Sequence, residues 1–112
     1  MEFNEYQDQA ERTLQKDSFT HITLINNMVY GLIGEMGELV DVLKKYVYHG
    51  HPLDDKRLDQ ITKECGDLLW YLAGVATIFN LPLEHIARTN IEKLRQRYPD
   101  GFSRERSLNR EE

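Results

Sequence analysis

Two long stretches of the sequence place apolar residues at helical spacing, and they constrain the fold more than any other feature. The first runs roughly from Thr20 to Tyr48, and the second from Leu53 or Asp54 to Phe79. In both, apolar residues recur every three or four positions, which is the period of a helix with one buried face. No stretch shows the alternation that is typical of a half-buried strand. The sequence therefore predicts an all-α fold with two long helices.

Two shorter helices are predicted on either side of the long pair. The first covers roughly Asn4–Leu14, and the last runs roughly from Pro82 to Tyr98, with the proline in its first turn. Gly50 lies in a short connection between the long helices, and such a connection favours an antiparallel pair. We expect a four-helix, bundle-like domain over residues 1–102 and a polar C-terminal tail over residues 103–112.

Charge and composition exclude several classes of protein. The 112 residues fit one domain, and a formal net charge of −5 argues against sequence-independent binding of nucleic acid. The sequence contains no run of 18 apolar residues, so it does not predict a membrane span. The N-terminus lacks the features of a signal peptide. We therefore expect a cytoplasmic protein. The single cysteine, Cys65, is expected to be a small buried thiol.

One nine-residue pattern occurs in both long helices: acid, apolar, Gly, acid, Leu, aliphatic, two variable positions, Leu. The copies begin at Glu35 and Glu64, and each places a second acid three residues later, at Glu38 and Asp67. At about 100° per residue, these acids lie at the edge of each apolar stripe. Packing the two helices would bring four carboxylates together. Four carboxylates that close cannot all remain ionised unless a cation lies among them.

The acids also lack the partners that exposed helical acids usually have. A basic residue commonly follows four positions later; here those positions hold Leu39, Val42, Leu68 and Tyr71. The alternative is that the acids are solvated side chains on amphipathic helices, and a single pair of this kind would favour it. Two copies in the same frame favour a metal site, and ligation by oxygen alone suits Mg²⁺ or Mn²⁺.

The fourth helix carries a polar and basic set on one face. Asn90, Lys93 and Arg97 stand at positions i, i+3 and i+7. Near the acids, such side chains could hold phosphate oxygens while a metal bridges them. The alternative is an ordinary solvated helix face. Tyr71 lies in the acidic sector of the third helix and is a candidate for stacking or hydrogen bonding.

At these residues the chain resembles the MazG-like, all-α nucleoside triphosphate pyrophosphohydrolases. Their motif is E-x-x-E, a gap, then E-x-x-D, which Glu35, Glu38, Glu64 and Asp67 match with 25 residues between the two halves. The Asn-x-x-Lys-x-x-x-Arg stretch that begins at Asn90 is also similar to the family. The resemblance covers nearly the whole chain and is most specific at the four acids.

The resemblance implies a hydrolase that cleaves the α–β bond of a (deoxy)nucleoside triphosphate, releasing the monophosphate and pyrophosphate. Mg²⁺ would be the cofactor, with Mn²⁺ as a substitute. Similar proteins are homodimers or homotetramers with the site completed at the interface. The implied metal ligands, one of which could orient the attacking water, are Glu35, Glu38, Glu64 and Asp67. The implied substrate-binding residues are Tyr71, Asn90, Lys93 and Arg97.

Three other interpretations stay open at this level. A phosphoribosyl-ATP pyrophosphohydrolase would share the fold, and so would a dedicated dUTP or dCTP hydrolase. A non-catalytic helical dimer, acting as a regulatory or interaction module, could carry the same acids around a structural ion or none. The sequence does not distinguish the preferred base, because that choice depends on the shape of a pocket.

Overall fold

The computed structural model describes residues 1–110 of the chain. These residues form five α-helices and one short 3₁₀ turn, with no strand longer than an isolated bridge. The prediction of an all-α fold is confirmed. The elements are α1 (Phe3–Glu11), a 3₁₀ turn (Lys16–Ser18), α2 (His21–Tyr48), α3 (Asp55–Ile78), α4 (Leu83–Arg97) and α5 (Arg104–Leu108).

The helix ends differ from the predicted ones at three places. α1 ends at Glu11, three residues before the predicted end at Leu14. Just after it, the Thr13 hydroxyl donates a hydrogen bond to the Ala10 carbonyl at 3.0 Å, and such side-chain bonds compete with continuation of a helix. Pro82 precedes α4 instead of lying in its first turn. The predicted tail contains the short helix α5, which Ser103 caps by accepting from the Arg106 amide. The last two residues of that tail lie outside the described residues.

Local capping sets the beginnings of both long helices. The Thr20 hydroxyl accepts a hydrogen bond from the Thr23 amide at 3.2 Å, which starts α2. The Asp54 carboxylate accepts from the Arg57 amide at 2.9 Å, which starts α3. Each cap satisfies a backbone amide that has no partner inside the helix. Between the helices, Gly50 adopts a φ of +76°, a left-handed conformation that favours glycine at the end of a helix.

The two long helices pack against each other in opposite directions. Gly31 of α2 lies beside Tyr71 of α3, and Glu35 lies beside the earlier α3 residue Asp67, so residue numbers rise along one helix as they fall along the other. The predicted antiparallel pair is therefore present. One buried cluster consists of Leu14, Leu24 and Met28, with Trp70, Tyr71, Val75 and Ile78 packed against it.

The side chain of Gln7, which is buried, joins α1 to the beginning of α4. Its amide nitrogen donates to the Leu81 carbonyl at 2.9 Å, and its carbonyl oxygen accepts from the Leu83 amide at 2.7 Å. Asn4 similarly accepts from the Glu84 amide. Pro82 has no side chain that could cap α4, so side chains from α1 supply the caps.

A sharp turn follows α3, where Asn80 has a φ of +54°. The axis of α4 departs from that of α3 by 103°, and α4 packs against α1. Among residues 1–110, no single helix is long and apolar enough to cross a membrane, although bent α3 and α4 together satisfy the length and composition criteria.

Candidate metal centre

Three of the four carboxylates that the sequence singled out converge between α2 and α3. Glu35, Glu64 and Asp67 each offer an oxygen within 4.8 Å of the others. Glu35 and Glu64 are partly buried, while Asp67 is exposed. The antiparallel packing of the long helices produces this convergence, because it brings one copy of the repeated pattern level with the other.

The closeness of the three carboxylates affects the ionisation of Glu35. Its pKa is raised above the ordinary value, first by partial burial and then by the charges of Asp67 and Glu64, with a hydrogen bond to Glu64. Each cause disfavours the ionised form. A divalent cation among the three oxygens would reverse this effect, since it favours carboxylates without protons.

Glu38, the fourth carboxylate, is exposed and stands outside the group of three. Its charge is nevertheless close enough to contribute to the raised pKa of Glu35, as the smallest of the causes. Glu38 therefore borders the centre on the solvent side.

Gly31 lets Tyr71 form one wall of the centre. A Cβ on Gly31 would overlap ring carbons Cε1 and Cζ of Tyr71 and lie 2.6 Å from its hydroxyl oxygen. The ring thus rests directly on the α2 backbone. Gly31 lies one turn before Glu35, and Tyr71 lies one turn after Asp67, so the ring adjoins the carboxylates. The helix-propensity cost of about 1 kcal/mol for a glycine inside α2 is explained by this contact.

Trp70 fixes the orientation of this part of α3. Its indole nitrogen donates to the Thr13 hydroxyl at 2.8 Å and to the Ala10 carbonyl at 3.2 Å. Its ring meets that of Tyr71 edge to face, with centroids 4.9 Å apart. Aromatic pairs favour this geometry. The end of α1 and Thr13 after it therefore hold the Trp70 side chain in place, and Trp70 in turn packs against Tyr71.

The structure adds Tyr6 of α1 to the surroundings of the acids. Burial and the negative charge of Asp67 raise the pKa of Tyr6 above its usual value of 10.0. Its hydroxyl therefore stays protonated to a higher pH than that of an ordinary tyrosine, and it can donate a hydrogen bond. The acidic pattern gave no signal for Tyr6, because the contact depends on how α1 crosses α3.

The predicted substrate-binding set on α4 lies elsewhere in the single chain. Asn90 and Lys93 are exposed, and Arg97 is partly buried. With a rise of about 1.5 Å per residue and the 103° bend, Lys93 lies roughly 20 Å from Asp67, measured between backbones. Lys93 lines an open groove of about 600 Å³ together with His85, Arg88, Thr89, Glu92 and Gln96. The chain by itself does not bring these side chains to the acids.

The prediction that Cys65 is buried was wrong. The thiol was predicted to be buried, but it is exposed, between the site residue Glu64 and Gly66. The helical stripe of α3 is wider in the sequence than the face that α1 and α2 cover. A residue at the margin of such a stripe therefore remains in solvent.

The donor set fits a hard divalent cation. All three converging ligands are carboxylates, which Mg²⁺ and Mn²⁺ prefer over sulfur or nitrogen. The nearest ion pairs on these helices join other acids: Asp41 pairs with Lys45 at 3.0 Å, and Asp59 with Lys63 at 2.9 Å. Lysine thus neutralises the neighbouring acids on both helices, whereas each of the three converging carboxylates has another carboxylate beside it.

Comparison with known protein families decides which family the chain belongs to. The model of the MazG nucleotide pyrophosphohydrolase domain matches residues 21–102. The chain belongs to the MazG family. A relative of this MazG domain, the "Gene 37 protein" of Mycobacterium phage L5, is 28% identical over 78 residues, which cover 69% of this chain and 68% of the phage protein. No solved structure matches the chain.

The region matched to MazG runs through α2, α3 and α4. It contains all eight residues that the sequence nominated for metal or substrate. It leaves out α1, which supplies Tyr6 and the cap of α4. In this MazG domain, the acids of the motif lie on the matched helices, and the first helix serves as their support.

Proposed function

We propose that this chain is a Mg²⁺-dependent nucleoside triphosphate pyrophosphohydrolase. It cleaves the α–β phosphoanhydride bond of a (deoxy)nucleoside triphosphate to give the monophosphate and pyrophosphate, and Mn²⁺ can replace Mg²⁺. A cytoplasmic location, where such nucleotides are available, belongs to the same proposal. Membership of the MazG family supports the reaction class.

The observation that carries the proposal is the convergence of three carboxylate oxygens within 4.8 Å. A cluster of like charges at a helix–helix junction destabilises the metal-free protein, as the raised pKa of Glu35 indicates. A cation bound among the carboxylates would neutralise this repulsion. In phosphoryl transfer, a bound divalent ion polarises phosphate oxygens and lowers the pKa of a water.

The residues of the chain divide the remaining tasks among them. Glu35, Glu64 and Asp67 would hold the metal, and Glu38 would complete its surroundings or orient the attacking water. Tyr71, held against Gly31, would contact the sugar or a phosphate. Because its ring is fixed by Trp70, it limits the positions that a nucleotide can take beside the acids.

Asn90, Lys93 and Arg97 would bind and neutralise the phosphates. In one chain, however, Lys93 lies roughly 20 Å from the acids, as the helix rise and bend indicate. We therefore include assembly in the proposal: a homodimer or homotetramer, in which α4 of one copy approaches the carboxylates of a neighbour. The substrate would then bind between two chains.

The test is to incubate the protein with a panel of ribo- and deoxynucleoside triphosphates, with and without Mg²⁺, and to separate the products by ion-exchange chromatography. The expected result is monophosphate and pyrophosphate that appear only with metal. The panel includes dUTP, dCTP and phosphoribosyl-ATP, so that it also identifies the preferred base. Turnover of no nucleotide in the presence of Mg²⁺ or Mn²⁺ would overturn the proposal.

A further inference from the structure

The beginning of α4 differs from the beginnings of α2, α3 and α5. Each of those helices begins at a residue whose own side chain accepts from the amide three residues later; these residues are Thr20, Asp54 and Ser103. α4 begins after Pro82, whose ring carries no acceptor for a hydrogen bond. The amides in the first turn of α4 therefore need partners from elsewhere in the chain.

Gln7 of α1 ties the first turn of α4 to the end of α3. Its side-chain oxygen accepts from the Leu83 amide at 2.7 Å, and its side-chain nitrogen donates to the Leu81 carbonyl at 2.9 Å. The same nitrogen also donates to the Thr77 hydroxyl, in the last turn of α3, at 3.3 Å. One side chain thus joins α1, α3 and α4 at the corner where the chain changes direction.

This amide is enclosed by the protein. Among residues 1–110, Gln7 is the one polar side chain that is buried. Leu83, whose amide it caps, is itself buried in a cluster with Ala73 and Ala76 of α3. A shift of α4 would leave a buried donor or acceptor without a partner, and such a loss is costly inside a protein. The tie therefore fixes the position of α4 in addition to stabilising it.

The rest of the corner leaves the direction of α4 to α1. Residues 79–82 connect α3 to α4, and the axes of the two helices differ by 103°. α4 packs against α1, and Asn4 of α1 adds a second bond by accepting from the Glu84 amide at 3.2 Å. Because α1 holds the first turn of α4 at two neighbouring amides, it sets the direction in which the remainder of that helix runs.

An error in that direction grows along the helix. Lys93 lies about 15 Å beyond Leu83 along the axis, and Arg97 lies about 21 Å beyond it. A tilt of about 10° at Leu83 would move Lys93 by ~2.6 Å and Arg97 by ~3.6 Å. Displacements of about 1 Å already matter where a protein group must meet a substrate. The functional end of α4 is therefore the part most sensitive to the tie at its beginning.

We propose that Gln7 is a positioning residue for the bound triphosphate. By fixing the direction of α4, it places Lys93 and Arg97 where they meet the phosphates. The inference rests on the proposed function, which assigns phosphate binding to those two residues. Gln7 lies in α1, outside the region matched to the MazG domain, and it acts through α4 and not by contact with the substrate.

The kinetic test uses Gln7→Met, which keeps the length of the side chain and removes its amide. We expect KM for the preferred triphosphate to rise about fivefold, while kcat stays near the wild-type value because the carboxylates of the metal centre are untouched. The increase in Tm caused by Mg²⁺ should equal that of the wild type. A wild-type KM in Gln7→Met would overturn the proposal.

A second substitution separates positioning from stability. Pro82→Asp gives α4 a cap of its own, since an aspartate there can accept from the His85 amide as Asp54 accepts from the Arg57 amide. Combined with Gln7→Met, it should raise the urea midpoint towards that of the wild type and leave KM high. Alone, it should leave KM unchanged. Recovery of KM together with the midpoint in the double variant would reduce Gln7 to a cap and overturn the proposal.

Energy transfer reports the direction of α4 without any turnover. Trp70 is the one tryptophan of the chain and serves as the donor. With Cys65, the one cysteine, replaced by Ser, an acceptor dye is attached through Gln96→Cys near the end of α4. The control is His85→Cys in the first turn; both positions are exposed.

In the double variant that lacks the Gln7 amide, the transfer to position 96 should change, and the transfer to position 85 should stay at the value found with Gln7 present. Unchanged transfer at position 96 would overturn the inference about Gln7. Absence of turnover in the wild type would instead overturn the proposed function, so the two failures are distinguishable.

Discussion

The α2–α3 pair and α4 differ in charge and in how their functional residues are arranged. Together α2 and α3 contain 7 acidic and 5 basic side chains, whereas α4 contains 2 acidic and 4 basic ones. Three of the four acids of the motif converge within 4.8 Å, while the polar set of α4 lies away from them in the same chain. The acidic group is thus assembled within one chain, whereas α4 packs against α1 and away from that group.

This difference follows from the connections between the helices. A short loop joins α2 to α3, so the pair must be antiparallel, and two similar patterns then meet at the same level. α4 follows a left-handed Asn80 and departs at 103°. Its direction depends on contacts with α1. We therefore expect substitutions in α2 and α3 to affect the metal centre or the stability of a single chain. Substitutions in α4 should instead affect the binding of the substrate.

The largest effect is expected from Glu35→Gln. It removes a ligand without changing the size of the side chain, and we expect turnover of the preferred nucleotide to fall by about 100-fold or more, equivalent to ~2.7 kcal/mol. The free energy of unfolding without metal should not fall, because a repelling charge is lost. The control is Asp59→Asn, whose carboxylate pairs with Lys63 and does not belong to the three converging carboxylates. Turnover at the wild-type rate in Glu35→Gln would remove this carboxylate from the reaction.

The packing of α2 on α3 is tested by Gly31→Ala. The added methyl group overlaps the Tyr71 ring, and overpacking of this kind costs about 1–3 kcal/mol. Gly34→Ala is the matched control, since among the described residues no heavy atom lies within 4 Å of its Cβ position. It should stabilise the helix by about 0.5–1 kcal/mol. Urea unfolding measures both, and equal gains would mean that Tyr71 does not rest on Gly31.

The assignment of α4 is tested by Lys93→Ala. We expect KM for the triphosphate to rise about tenfold, or ~1.4 kcal/mol of binding energy, while the urea midpoint stays unchanged. Lys63→Ala provides the control, because it removes the same charge from an exposed helix position beside the acids. If kcat and KM both stay at wild-type values in Lys93→Ala, Lys93 does not contact the substrate.

The smallest effect concerns pH. Because the pKa of Glu35 is raised, the folded metal-free protein holds this proton more tightly than the unfolded chain. Its contribution to stability is therefore lost as pH rises through the window above the ordinary value of 4.5. Bound Mg²⁺ requires the ionised form, so the increase in Tm caused by Mg²⁺ should be full at pH 7 and smaller near pH 5. Glu35→Gln should abolish most of this difference, and an increase in Tm that is the same at both pH values would contradict the ion's binding there.

Much of the fold could be predicted because its signals are local. The period of the apolar residues predicted the long helices, and Thr20 and Asp54 start them as caps within one or two residues of the predicted ends. The end of α1 and the existence of α5 were missed, since short helices carry few periods. The exposure of Cys65 was missed because a helical stripe does not show how much of its width a neighbour will cover.

The candidate site, too, could be predicted only in part. The spacing of Glu35, Glu64 and Asp67 predicted their convergence, whereas the exposed position of Glu38 depends on the exact rotation of α2 against α3. Nothing in the acidic pattern pointed to Tyr6. The position of α4 could not be read from Asn90, Lys93 and Arg97, because their spacing fixes only that they share a face.

The sequence by itself therefore determined an all-α chain with two long helices and an acidic pattern repeated on both, since helical period and charge spacing are properties of neighbouring residues. The tertiary structure alone decided that Tyr71 lies on Gly31, that Gln7 caps α4 through the Leu83 amide, and that the outward apolar residues of α2 stay exposed. These depend on which of two apolar faces the other helices occupy, and residues far apart in the chain settle that choice by packing.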